Sequence, residues 1–172
     1  MNSFLIAQIL GFFALLSSII GVWQKQRIRF IILNIIQNIF SGVQYLLLGK
    51  DIAFYLCLFG VFRLILYSFR NNLTLKSNIV ILIVCLIVNI FISLLNYSDI
   101  YDLIPLIAST LVCYTVWQSK IFIIRLGVII SKALWGIFAT ISFAYFSILM
   151  DIFLIIWTIF VIIRDKRKQI KN

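Results

Sequence analysis

Apolar runs of about 20 residues, the length of helix that crosses a bilayer, follow one another along almost the whole sequence. Nothing else in it constrains the fold as much. Only 12% of the residues are charged and 64% are hydrophobic, whereas a soluble domain carries about 25% charge. Such a chain has too little polar surface to face water on all sides. It is read as a single integral membrane domain, all-α, whose main partner is the lipid bilayer. The runs predict seven transmembrane helices near 4–23, 30–48, 52–69, 79–95, 103–118, 123–141 and 146–163. The tightest connections fall near Gly49-Lys50-Asp51 and from Ser142 to Ala144. The first run lacks a basic leader and a small-residue cleavage site, so it is read as a retained helix.

Seven spans put alternate connections on opposite sides of the membrane, and the charges sort accordingly. One side collects Lys25, Arg27 and Arg29, then Arg70 and Lys76, then Lys120 and Arg125. It also takes Arg164, Lys166, Arg167, Lys168 and Lys171, against the single acid Asp165. The other side holds Lys50, Asp51, Asp99 and Asp102. Basic loops stay in the cytoplasm, which predicts an outside N-terminus and a cytoplasmic C-terminus. Six or eight spans would scatter the same charges across both sides. The formal net charge of +10 is thus explained by topology and by anionic headgroups, with no need for nucleic acid.

Several chemistries lack their residues. Histidine is absent. The three cysteines, Cys57, Cys85 and Cys113, sit singly inside apolar runs and form no metal or redox spacing. No acid pair, nucleophile set or phosphate-binding loop is legible. The expectation is a protein that is no enzyme, with no metal and no cofactor.

The chain also resembles itself. Shifted by 94 residues, Val22-Trp23-Gln24 falls on Val116-Trp117-Gln118, Gly42 on Gly136, Phe59 on Phe153 and Arg70 on Arg164. This suggests two parallel three-helix repeats, about 4–70 and 103–164, joined by a linking helix near 79–95. An odd number of spans between them keeps both repeats pointing the same way. Parallel repeats of this kind are a known transporter plan, with the substrate site near the midplane between halves.

Helix 2 carries Asn34, Gln37, Asn38, Ser41, Gln44 and Tyr45, which share one helical face. In lipid such a face must turn to protein or to a water-filled cavity, because unsatisfied polar groups cost kilocalories each. The 94-residue shift carries Gln37 to Ser131, Asn38 to Lys132 and Ser41 to Trp135. Lys132 therefore occupies the equivalent of the stripe's middle. Arg63 and Asp151 are the other charges inside spans. An intramembrane charge costs at least about 2.5–3.5 kcal/mol and marks function by default. Snorkelling or structural pairing is the competing explanation, for Arg63 above all. Lys132 and Asp151 lie in adjacent helices and within reach of pairing. Asn89, with Cys85 and Ser93, is read as a helix–helix hydrogen-bonding position.

The second half, "LIPLIASTLVCYTVWQ" and "RLGVIISKALWGIFATISFAYFSILMDIFLIIWTIFVIIR", resembles the YgjV family of bacterial inner-membrane proteins. So does "SGVQYLLLGKDIAFYLCLFGVFRLILYSFR" in the first half. The resemblance implies a bacterial inner-membrane location. The three-plus-one-plus-three layout is also similar to the SWEET, PQ-loop and PnuC transporters. In the SWEET group a proline in the first helix of each repeat helps the bundle rock. Here Pro105 stands in helix 5 without a following glutamine, and Gly11 is its mate under the shift, so these two are the hinge candidates. Together the residues suggest a small-metabolite transporter or facilitator. Asn34, Gln37 and Asn38 would supply hydrogen bonds, Arg63 and Lys132 positive charge with Asp151 as partner, and Trp135 an aromatic face. The ligand would be a small polar or anionic metabolite. A structural or regulatory subunit is the alternative, and a homo-oligomer stays open.

Overall fold

A computed structural model describes residues 3–24, 27–68, 75–116 and 121–171. The described residues form seven α-helices: α1 Ser3–Val22, α2 Arg27–Leu47, α3 Asp51–Ser68, α4 Leu75–Leu95, α5 Leu103–Val116, α6 Ile121–Ile141 and α7 Tyr145–Lys171. The seven expected helices are all there. Four stretches among the described residues are long and apolar enough to cross a membrane by themselves: Ser3–Gly21, Ile28–Leu47, Phe122–Ile141 and Tyr145–Asp165. The second Trp-Gln of the repeated triplet (Trp117, Gln118) and the connections bearing Lys25, Arg70 and Lys120 lie outside the described residues.

α7 runs eight residues past the expected end, from 163 to Lys171. Hydropathy stops at the membrane surface, but Arg, Lys and Gln are good helix formers, so the helix continues into the charged tail.

The helices close into a ring. α1 packs on α2, α2 on α3, α3 on α5, α5 on α6, α6 on α7, and α7 back on α1. α4 stands outside, against α3 and α5. Its Ile83, Ile87, Phe91 and Leu94 are exposed at helical spacing, which suits contact with lipid chains. The inner face is held by polar groups. Asn89 donates to Thr110 Oγ1 at 2.9 Å and accepts from Ser109 Oγ at 2.7 Å, clamping α4 to α5. Ser93 Oγ bonds the Asn89 carbonyl, one turn away.

At the α4–α5 corner a 3-10 turn, Ile100–Asp102, is capped by its own acids. Asp102 is buried and accepts from Ser98 N, Ser98 Oγ and Asp99 N, so its charge is satisfied before α5 begins. Pro105 follows as the third residue of α5, in the first turn, where its missing N–H has no intrahelical carbonyl to bond.

The two hairpin turns are alike atom for atom. At the end of α2, Lys50 N donates to Tyr45 O and Gly49 N to Leu46 O, with Gly49 at φ +71°. At the end of α6, Ala144 N donates to Ala139 O and Phe143 N to Thr140 O, with Phe143 at φ +55°. Both are Schellman caps, and every partner is 94 residues apart. In the second turn a phenylalanine fills the left-handed position that glycine fills in the first. Gln8 of α1 donates to the carbonyl of that phenylalanine at 2.8 Å.

Two stability effects follow. Phe143→Gly is expected to raise stability by about 0.5–1 kcal/mol, because the ring is largely exposed and the left-handed conformation disfavours a side chain. Asn89→Ala is expected to lower it by about 0.6–1.7 kcal/mol through the lost α4–α5 bonds. Unfolding titrations in mixed micelles read both.

Candidate functional site

The ring encloses a cavity of about 660 Å³. α2 and α6 stand opposite one another in the ring and supply much of its wall. Along α2 the lining runs from Phe30 to Tyr45, fifteen residues or about 22 Å at 1.5 Å per residue. Phe30, Arg125 and Val161 line it near the basic ends of their helices. The far end is closed by rings: Tyr45 packs on Trp135 at 5.8 Å and on Phe138 at 5.7 Å, with Trp135 edge-on to Phe138. Behind them Ile52, Ala53, Ala139 and Ala144 complete a buried apolar cluster. The cavity thus reaches toward the basic end and is plugged at the opposite one.

Asn34, Gln37, Asn38, Arg63, Lys132, Trp135 and Asp151 all line this cavity. Asn38 and Lys132 occupy equal depths, each eleven residues into its helix and nine from its end. That is about 16 Å and 13 Å from the two ends, close to the middle of a ~30 Å hydrocarbon core.

The stripe on α2 satisfies itself in part. Asn34 Nδ2 donates to Phe30 O at 2.8 Å and Asn38 Nδ2 to Asn34 O at 2.7 Å, each one turn back. Gln37 Nε2 donates to Ser41 Oγ at 3.3 Å. Such back-bonding uses one amide hydrogen and leaves the other, with the amide oxygen, for a ligand. A methyl at Gly60 of α3 would come within 3.0 Å of Asn38 Oδ1, so the glycine makes room for that amide. On α6, Ser131 Oγ donates to Ala108 O at 3.0 Å and ties α6 to α5.

Among the described residues four charged ones line the cavity: Arg63, Arg125, Lys132 and Asp151. Lys132 Nζ lies 3.0 Å from Asp151 Oδ1, joining α6 to α7. The carboxylate side chain is 2% exposed and the lysine 22%, so the lysine faces the cavity and the aspartate backs it. The contact is held by charge, since Oδ1 accepts no well-aligned hydrogen bond. Arg125 pairs with Asp165 at 2.7 Å nearer the basic end. Arg63 has no carboxylate within 4 Å among the described residues. Its Nη1 donates to Ser109 O at 3.3 Å and to Cys113 Sγ at 2.9 Å, both on α5.

The two hinge candidates lie away from the cavity wall. Gly11 sits midway along an unbroken α1, where a methyl would meet the Gln44 amide of α2 at 2.6 Å. Gln44 is fully buried and accepts from Ser147 Oγ of α7 at 2.7 Å, so the glycine admits a polar α1–α2–α7 junction. Pro105 is buried in the first turn of α5 and interrupts no helix.

Tyr45, Cys57, Ser109, Arg125 and Trp157 also line the cavity and were not among the expected ligand-binding residues. Two of them had a signal. The 94-residue shift applied to Asp151 gives Cys57, and applied to Arg63 gives Trp157. Cys57 belongs to the core cluster, as a small apolar-run cysteine should, and touches the cavity as well.

The fold and the cavity define a polytopic helical membrane protein with a polar, charge-bearing interior. Residues 5–169 match the Imp-YgjV family, described as bacterial inner membrane protein. The match covers nearly the whole chain, and the chain belongs to that family. No curated protein and no solved structure matches it.

The buried pair generates a double-mutant test. Lys132→Ala leaves Asp151 buried without a counter-charge and is expected to cost about 3 kcal/mol. That is the low end for breaking a buried pair, because the lysine faces the cavity. Lys132→Met with Asp151→Leu is expected to recover most of that loss. Chemical unfolding of the two variants beside the parent measures it.

Proposed function

We propose that this protein is a small-metabolite transporter or facilitator of the bacterial inner membrane. The ligand is a small polar or anionic metabolite held near the midplane between two three-helix repeats. The observation that carries the reading is the lining of the cavity. Under the 94-residue shift Asn34 pairs with Val128, Gln37 with Ser131, Asn38 with Lys132 and Ser41 with Trp135. Cys57 pairs with Asp151 and Arg63 with Trp157. All twelve residues line the cavity. A cavity whose walls obey the offset lies on the axis that would relate the two halves.

Other facts support the repeat. The shift carries the α1–α7 contact onto the α5–α3 contact, and both are present. It carries the α2–α3 turn onto the α6–α7 turn, with both Schellman bonds preserved. α4 then serves as the linker, and all seven helices cross the membrane, α3 and α5 sheltered by their neighbours. On this reading the basic end is cytoplasmic, the N-terminus outside, and the cavity faces inward with its outer end plugged by Tyr45, Trp135 and Phe138.

A volume of about 660 Å³ lies within the range of small-molecule sites. A subunit that served only to pack would have little use for an arginine paired with no acid among the described residues and for half-satisfied amides around such a space. That weighs against the structural alternative.

The test is uptake into proteoliposomes of purified protein, offered labelled carboxylates, phosphate esters, amino acids and nucleosides. At least one is expected to enter faster than into protein-free liposomes. Lys132→Ala and Asn38→Ala, checked for normal insertion, are expected to slow that entry tenfold or more. Entry unaltered by both substitutions would sink the assignment.

A further inference from the structure

The geometry points to a specific ligand chemistry: the cavity binds an oxyanion, a carboxylate or phosphate group, with Arg63 as its anchor. This rests on the transporter reading and sharpens it. The sequence puts two cations, Arg63 and Lys132, at the site on equal terms. The structure separates them.

Lys132 is neutralised by Asp151 at 3.0 Å and Arg125 by Asp165 at 2.7 Å. Of the three cations lining the cavity, Arg63 alone has no acid within 4 Å among the described residues. A half-buried guanidinium is kept inside the bilayer without a counter-ion. Insertion makes that costly, and α5 offsets it only with neutral acceptors, Ser109 O and Cys113 Sγ.

Both bonds leave from Nη1. Among the described residues, five N–H donors less these two leave three, on Nη2 and Nε, along one edge of the fork. That edge matches the two oxygens of a carboxylate or phosphate in a way an ammonium does not. The α5 acceptors fix the plane of the guanidinium in advance. Asn38 stands beside Gly60, one turn of α3 from Arg63, with its amide oxygen turned to that glycine.

An oxyanion can come from two sources, a free metabolite or the headgroup of an anionic lipid. Both share the chemistry, and the experiment tells them apart. Purified protein in phosphatidylcholine nanodiscs is titrated with succinate, with inorganic phosphate, and with glycerol and choline as neutral and cationic controls. The readout is tryptophan fluorescence, since Trp135 and Trp157 line the cavity. A saturable change is expected with succinate or phosphate and not with the controls. Arg63→Gln is expected to weaken it at least tenfold, and Arg63→Lys to give an intermediate affinity, with thermal unfolding confirming that both variants fold. If nanodiscs of phosphatidylglycerol suppress the response, the headgroup phosphate occupies the same site and lipid is the source. If they do not, the free anion is.

Equal responses to glycerol or choline in the parent protein would overturn the oxyanion site, even if Arg63→Gln failed to fold. So would undiminished binding in a folded Arg63→Gln. Uptake of a neutral compound that survives Arg63→Gln would leave the transporter reading standing without the anchor. Oxyanion binding with no uptake of any compound would do the reverse.

Discussion

Hydrocarbon offers no hydrogen-bond partner, and most of the polar architecture of this protein answers to that fact. Most intramembrane polar groups are closed on the chain or turned to the cavity, while Gln44 Nε2 and Ser142 Oγ are buried with no partner among the described residues. Asn89 is closed by Thr110 and Ser109, and it thereby fixes α4 to α5. Gln44 is tied to Ser147, and Gly11 is small so that it can be. Asn34 and Asn38 are half closed, each spending an amide hydrogen on its own helix. What is left over points inward, so the ring of helices and its polar interior are two aspects of one constraint.

The same constraint ranks the charges. Asp102 is nearly as buried as Asp151, yet it sits at a helix end among backbone and hydroxyl donors. It is a cap. Asp151 lies within α7 and has an ammonium for company. Equal burial thus conceals different roles, and the partner decides between them. Arg63 is the opposite case, a cation given acceptors but no anion.

Much of this was legible in the sequence because membrane helices write their period plainly. The stripe from Asn34 to Tyr45 showed which face of α2 turns inward, and the 94-residue offset carried that face to Lys132. Lengths and charges together gave seven helices. Other features depend on contacts that no local pattern encodes. The closures of α1 on α7 and of α3 on α5 join distant segments, and so does the Arg125–Asp165 pair. The span expected at 146–163 matches the apolar stretch Tyr145–Asp165, while α7 itself continues to Lys171, because hydropathy reports where lipid stops whereas helix formation continues wherever the backbone is unhindered. Arg125 looked like a loop charge for the same reason: it is one turn inside α6.

The paired cavity positions match in place but differ in kind. Asn38 faces the world of Lys132, Cys57 that of Asp151, and Arg63 that of Trp157. A cavity with identical walls would accept a lopsided molecule two ways round, and the two poses would be equal in energy. Here the degeneracy is lifted. A guest with unlike ends would meet amides and a guanidinium on one wall, an ion pair and an indole on the other, and so would have a single favoured heading. Unlike residues at the paired positions give the cavity a polarity within the membrane plane that the backbone alone does not possess.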